Sequence, residues 1–319
     1  MIELPSLPVS LGPFYRCVMT STPQSLPKTS TASPFQVKRI HASKLTYEEF
    51  YEEHWLPGVP LVLQDASKVW GAYGKLTPDW LRQNFGDRKT TVRGESYTMR
   101  EALDLVEGKD TSRPIPYPCK YDIPTQLPEL LPLLSPLNMG YACPNWLERR
   151  WFKFGYWGSA TELFIGGTGG KFPYAHLDYY HLSAWINQLY GNKEFTVWPR
   201  GQEQYLYPDP NDYWKSTIPD VENVDLNKFP LYRHATPITF VVGAGETLYI
   251  PVGLWHTTKS LEPTMSIAFD LLNRQNFGAS LKDVWGFRRR QGLAQAVAYS
   301  SYAMMAGALC RIGDAFERR

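Results

Sequence analysis

The residues best equipped for chemistry stand in the run Phe172-Pro173-Tyr174-Ala175-His176-Leu177-Asp178. Side chains of an extended strand alternate between faces, so His176 and Asp178 project the same way. An imidazole and a carboxylate on one face make two adjacent corners of a metal site. Two histidines with one carboxylate form the facial triad of non-haem Fe(II) oxygenases, which leaves three positions for a chelating cosubstrate and O2. The third ligand must come from elsewhere, and the other histidines are His41, His54, His181, His234 and His256. His256 ends the run GETLYIPVGLWH (245–256), which reads as a strand, a Pro/Gly turn and a histidine entering the next strand. A barrel can bring that histidine opposite the first pair. Alone, a His-x-Asp pair is common by chance, and a lone histidine is more often a satisfied core or surface residue.

The elements that must position these residues are legible in the pattern. Thr46 is placed to cap a helix starting at Tyr47, with Glu48 and Glu49 in its first turn. PLVLQD (60–65) is a short apolar strand. Thr77, Pro78 and Gly86 bracket a helix over 76–86. Residues 89–93 form a strand, and YTMREALDLVEG (97–108) an amphipathic helix. A Pro-rich stretch with a short helix follows, and from 151 to 270 strands dominate: TELFIGG, SAWINQLYG, KEFTVWP, TFVVGAG, ETLYIPV and TMSIAFD. Short strands at that spacing imply a sandwich or barrel. The expected plan is a leader (1–33), an N-terminal α/β cover (34–150), a β core (151–277) and a helical C-terminal region (278–319).

In that order and spacing, AHLD, INQLYGNKEFTVWP, YLYPDP and DLNKFPLYRHATPITFVVGAGETLYIPVGLWHTTKSLEPTMSIAFD resemble the JmjC-domain hydroxylases. These are cupin-like relatives of the asparaginyl hydroxylase of the hypoxia response. The resemblance runs from about residue 36 to 275 and is strongest over 172–270. It implies a mainly β fold with flanking helices, whose core is a double-stranded β-helix (jelly roll, cupin). It implies Fe(II) held by His176, Asp178 and His256, with 2-oxoglutarate as cosubstrate and O2 as oxidant. A carboxylate at Asp178 favours hydroxylation, because halogenating relatives carry a small residue there.

2-Oxoglutarate chelates iron through its 2-oxo acid and needs a cation for its far carboxylate. Lys193 is the candidate; Tyr190-Gly191-Asn192-Lys193 reads as a hairpin turn with Gly-Asn at its centre. On a bare hairpin such a lysine would be solvated, but the resemblance assigns it to the cosubstrate. The same resemblance suggests Tyr117 and Asp270 as further cosubstrate contacts, and exposes departures. Pro173 stands where the family often has Thr or Ser, Ala184 where Asn is common, and Asp270 in place of a late Asn. Tyr179, Tyr180, His181 and Trp185 are candidate walls of a substrate pocket, with the rim of the barrel as the plainer place for His181 and the core for Trp185. The long segment 201–237 has the length of a lid. Arg288, Arg289 and Arg290 read as a solvated helix face.

The totals bound these expectations. The chain has 319 residues, 43% of them hydrophobic, enough for a large core and too apolar for disorder throughout. Its 33 basic and 31 acidic residues lack the concentrated basic footprint of a nucleic-acid binder. Cys17, Cys119, Cys143 and Cys310 are too scattered for a disulfide framework or zinc knuckle, which points to a reducing, intracellular setting, most simply the cytoplasm. The leader is rich in Ser, Thr and Pro and nearly free of acidic residues; a disordered segment is the plain expectation, an organelle address the alternative. Residues 291–310 carry no charge yet are too polar for a membrane span, so a packed helix or a dimer helix is expected. The substrate is a small molecule or a peptide or protein side chain. Two alternatives stand beside hydroxylation: N-methyl-lysine demethylation by the same iron chemistry, and a non-catalytic metal-binding cupin.

Overall fold

The structure, a computed structural model, describes residues 36–135, 140–142, 144–149, 151–152 and 161–317. The leader 1–33, with Cys17, and Cys143 lie outside the described residues. The described chain opens with β1 (Lys38–Ile40) and α1 (Tyr47–Phe50). Thr46 and Glu49 cap α1 reciprocally: the Thr46 hydroxyl accepts from Glu49 N at 3.2 Å and the Glu49 carboxylate accepts from Thr46 N at 2.8 Å. The buried strand β2 (Leu61–Leu63) follows, then α2 (Pro78–Phe85), capped by Thr77. β3 (Lys89–Val92) pairs with β4 (Glu95–Thr98), and Tyr97 sits opposite Thr90. Tyr97 is therefore a strand residue, and α3 (Met99–Val106) starts later than the amphipathic pattern implies, with Thr98 and Glu101 as its cap. β5 (Cys119–Asp122) and α4 (Ile123–Gln126) complete this part.

The remaining strands are β6 (Thr161–Gly166), β7 (Ser183–Tyr190), β8 (Lys193–Trp198), β9 (Ile238–Val242), β10 (Thr247–Ile250), β11 (Trp255–Ser260) and β12 (Thr264–Leu271). A large sheet runs β1-β2-β10-β7-β12-β6-β5 and a small one β11-β8-β9, antiparallel except for β1 against β2. Together they make a jelly roll, with helices on its outside, as the family resemblance implies. The segment around His176 extends the small sheet. Phe172 N donates to Thr258 O at 2.9 Å and His176 N to His256 O at 2.9 Å, so residues 172–176 oppose residues 256–258 across a bulge.

Strand alternation sorts the side chains. Met265, Ile267, Phe269 and Leu271 of β12 join the main core with residues of α1, β2, α2 and α3, whereas Ser266 reaches Lys193 inside the barrel. Ala268 and Asp270 share the face of Ser266. On β7 the same rule puts Ala184 in the interior cluster with Val62, Phe195 and Leu248, and Trp185 in the main core with Phe50, Tyr249 and Phe269. Trp185 is fully buried there, so it is a core residue and not a wall of a substrate pocket.

The Gly191-Asn192 link also differs from expectation. β7 is already paired on both edges, with β10 and β12, and has no free edge for β8. The link is therefore a corner between sheets and not a hairpin. Gly191 has φ +68°, and a Cβ there would lie 2.1 Å from Pro263 O, so both conformation and space require glycine.

The C-terminal helices are α5 (Phe277–Gln291) and α6 (Leu293–Glu317), packed on each other and on the barrel. Trp146 Nε1 donates to Asp314 Oδ2 at 2.9 Å, pinning α6 to the segment ahead of β6. Arg288 is not solvated: it is 4% exposed, and its guanidinium lies 3.8 Å from the centre of the Tyr299 ring, holding α5 to α6. Among the described residues no helix is long and apolar enough to cross a membrane.

Candidate metal centre

His176, Asp178 and His256 converge: one ligand atom from each lies within 4.8 Å of the others. The two histidines form a reciprocal backbone pair, each N–H donating to the other's carbonyl at 2.9 Å. Their rings lie 4.2 Å apart between centroids. Asp178 enters just after this pair in extended conformation, and its Oδ1 comes within 3.8 Å of His256 Nε2. The residue types are only one part of the fit. His256 Nδ1 sits 3.0 Å from Leu254 O; by donating there it leaves the Nε2 lone pair free toward Asp178. Among the described residues, His176 Nδ1 is buried with no hydrogen-bond partner. Burial, followed by the neighbouring His256, holds the His176 imidazole well below its ordinary value, in the neutral form that ligates metals. Burial pushes Asp178 up, and His256 opposes the rise. A divalent cation satisfies all three residues at once. Phe172 stacks on the His176 ring at 4.1 Å and fixes its plane.

The far end of the barrel is polar. Lys193 is 3% exposed, so it is not a solvated turn lysine. Its ammonium donates to Ser266 Oγ at 2.7 Å, and Ser266 Oγ donates to Gln188 Oε1 at 2.8 Å. Burial lowers the Lys193 pKa from its usual 10.5 to about 7, because no anion among the described residues compensates it. Ser260 of β11 faces Lys193 in register. The Tyr117 hydroxyl shares hydrogen bonds with Thr258 and Ser260, and burial pushes it up. The Tyr117 ring lies against two glycines, since a Cβ at Gly166 or Gly170 would come within 2.9 or 3.1 Å of it. Lys193, Tyr117, Ser260, Ser266 and Thr258 thus gather at one cationic, hydroxyl-lined end of the barrel. His256, Thr258 and Ser260 share one face of β11, so the triad and this polar end open into the same interior. The four hydroxyl and amide partners Thr258, Ser260, Ser266 and Gln188 were not anticipated. Strand alternation from His256 reaches Thr258 and Ser260, but only the register names Ser266 and Gln188.

Asp270 lies at the triad end and not at the Lys193 end. It pairs with Ala184 across the large sheet. Burial, then Asp178 and Glu162, push its carboxyl well up, and Lys120 opposes them. The other candidates disperse. Tyr179 is exposed, donates to Asp212 Oδ2 at 3.3 Å and packs near Trp214. Tyr180 turns toward Phe287 of α5, and His181 Nδ1 contacts the Asp283 carboxylate of the same helix. Both have positive φ, 60° and 51°, immediately after the ligand segment. The segment 201–237 does not stand off as a lid. Ser216 N donates to Ala175 O at 2.8 Å and Leu177 N to Trp214 O at 2.9 Å, so it flanks the ligand strand as an added outer neighbour.

Residues 93–271 match the family model described as the cupin-like domain. The chain belongs to that family. Among its relatives is the chicken (Gallus gallus) protein named 2-oxoglutarate and iron-dependent oxygenase JMJD4. It is 25% identical over 268 residues, covering 76% of this chain and 60% of that protein. Two Arabidopsis thaliana proteins also match. Arginine-specific demethylase JMJ20 is 24% identical over 276 residues, covering 76% of this chain and 58% of that protein. Lysine-specific demethylase JMJ30 is 25% identical over 279 residues, covering 83% and 62%. The cupin-like chain thus spans about three fifths of the length of these relatives.

The Lys193 geometry yields a stability prediction. A buried ammonium without an anion is costly, so Lys193→Met leaves the ligand-free protein as stable or more stable. Between pH of about 7 and the unfolded-lysine value of about 10.4, the unfolded chain binds a proton that folded Lys193 does not. Wild-type stability therefore rises with pH across that window, and Lys193→Met flattens the rise. Urea midpoints at several pH values measure both; a strongly destabilised variant with an unchanged slope would make Lys193 a structural residue.

Proposed function

We propose that this protein is an Fe(II)- and 2-oxoglutarate-dependent oxygenase that hydroxylates a C–H bond of a protein side chain or small molecule. The observation that carries this reading is the convergence of His176, Asp178 and His256, with His256 Nδ1 satisfied by Leu254 O. The name of the JMJD4 relative supports it. In this reading His176, Asp178 and His256 hold the iron, and Lys193 with Tyr117 receives the far carboxylate of 2-oxoglutarate. Iron and 2-oxoglutarate held there would activate O2 as the oxidant, one oxygen atom going to the substrate and the other to 2-oxoglutarate, which would leave as succinate and CO2. The chain's own tasks are orientation and exclusion of water. Ser266 and Gln188 hold the lysine side chain ready, and an arriving carboxylate restores its charge. The bulge at residues 173–175 and the flanking segment 214–216 fix the approach to His176.

Demethylation of an N-methyl group would use the same centre, and the names of the JMJ20 and JMJ30 relatives support that variant of the chemistry. Both outcomes are read by one assay: the protein with Fe(II), 2-oxoglutarate and panels of peptides and metabolites, followed by mass spectrometry. Iron-dependent succinate is expected from wild type, with a gain of one oxygen atom or a loss of CH2 on the substrate. His176→Ala should reduce succinate by at least about 100-fold. Succinate that survives this change would contradict the ligand assignment, and none from wild type would favour a non-catalytic cupin.

The partner proposal is a second copy of the chain docked on α6. One face of that helix buries Ala303, Ala306 and Cys310, while Leu293, Val297, Met305, Leu309, Ile312 and Phe316 are exposed at helical spacing on another. With Met304 they offer on the order of 700 Å² of apolar surface, close to the ~800 Å² that each partner brings to a standard interface. Wild type is expected to sediment as a dimer at micromolar concentration, and Leu309→Glu/Ile312→Glu as a folded monomer. A monomeric wild type, or a variant that stays dimeric, would overturn this.

A further inference from the structure

Two of the three metal ligands are aimed by a neighbour: His256 by the Leu254 carbonyl and His176 by the ring of Phe172. Asp178 differs. Among the described residues its carboxylate accepts no hydrogen bond, and its one ion-pair contact is His256 Nε2 at 3.8 Å. The direction of that carboxylate is therefore set by its backbone, at φ −65° and ψ 135°, and by what holds the chain on either side. On the upstream side Leu177 N donates to Trp214 O at 2.9 Å, next to the reciprocal pair of His176 and His256. On the downstream side two consecutive residues, neither of them glycine, take left-handed conformations: Tyr180 at φ 60° and His181 at φ 51°. Such a turn persists only where its surroundings impose it.

The surroundings that impose it belong to α5. The Asp283 carboxylate accepts from His181 Nδ1. Phe287, one helical turn further, meets the Tyr180 ring edge-on with 6.0 Å between centroids. Asn276, the cap residue of α5, donates through Nδ2 to His181 O at 3.0 Å and to Leu271 O at 2.9 Å, which ties the turn to the end of β12. Asp283 lies seven residues after Asn276 and four before Phe287, so all three share one side of the helix. On its other side the His181 ring packs against Trp214, at 5.7 Å, whose carbonyl already anchors Leu177. The bond to Asp283 is the one made to a carboxylate, the stronger kind of acceptor.

We propose that Asp283 is a positioning residue for the metal: from α5 it holds His181, and through the left-handed turn it fixes where Asp178 presents its carboxylate. This rests on the reading of His176, Asp178 and His256 as metal ligands. Asp283 touches none of the three, and its effect on the metal passes through Asp178 alone.

The test is a double-mutant cycle on the full chain, read by titration with Co(II). Co(II) binds such a site more tightly than Fe(II), and its visible bands report the ligand geometry. Asp283→Ala is expected to weaken Co(II) binding by about 10-fold or more and to change the band pattern. Asp283→Asn, which keeps an acceptor for His181 Nδ1–H, should recover most of that loss. In an Asp178→Ala background the ligand being positioned is gone, so adding Asp283→Ala should alter the affinity by a factor close to one. Unchanged affinity in Asp283→Ala, or an equal loss with and without Asp178, overturns the proposal and leaves the contact a matter of stability. Should Asp283→Ala not fold, His181→Asn takes its place in the cycle with the same expected and contrary results; it removes the other partner of the bond and suits a left-handed backbone. Wild-type protein that binds no Co(II) contradicts the metal reading and overturns the proposal with it, an outcome distinct from wild-type binding that Asp283→Ala leaves intact.

Discussion

The reciprocal backbone pair between His176 and His256 is the constraint on which the site depends. Two residues 80 positions apart exchange N–H···O bonds of 2.9 Å in each direction, which locks their Cα atoms into opposed places on neighbouring strands. Everything else at the centre is set relative to that pair. Asp178 follows two residues later on the same edge. Leu254, in the turn before β11, supplies the carbonyl that orients His256. The bulge at 173–175 takes up the length mismatch between the edge segment and β11. α5 then secures the chain beyond Asp178 through His181 and Tyr180, whose left-handed backbone needs outside support.

The interior is built as two electrostatic compartments. At one end, two imidazoles and a carboxylate converge, and burial disfavours the charged forms of His176 and Asp178. At the other, a lysine is held almost dry by a serine and a glutamine. Each compartment is unfavourable by itself, for burial penalises the charged forms at both ends. A divalent cation relieves the first, and a carboxylate relieves the second. A ligand carrying both a metal-chelating group and a distant carboxylate satisfies the barrel as a whole. Strain of this type is tolerated because the large apolar core lies on the other face of the same sheet.

How much of this was legible depended on whether a feature is local or set by sheet register. The helix caps at Thr46 and Thr77 are written in a few adjacent residues and appear where the sequence places them. The strands of the barrel are equally plain from their β-branched and aromatic runs. His176 and Asp178 need only the alternation of one extended segment. The role of Gly191-Asn192 was misread because the motif specifies a tight reversal without saying which strands have free edges. Trp185 illustrates the matching limit for side chains: strand alternation offers two faces, and only the topology says which is core. Arg288 looks like its exposed neighbours, yet a single turn of helix carries it onto Tyr299. Ser260, Ser266 and Gln188 are ordinary polar strand residues until register brings them to Lys193.

The central claim is that one metal and one dicarboxylate complete this interior. An anaerobic crystal structure with Mn(II) as a redox-silent stand-in for iron and with 2-oxoglutarate tests it most directly. The ion is expected on His176, Asp178 and His256, chelated by the 2-oxo acid, with the far carboxylate on Lys193 and Tyr117. A metal bound elsewhere, or a cosubstrate carboxylate that leaves Lys193 bonded only to Ser266, would contradict it.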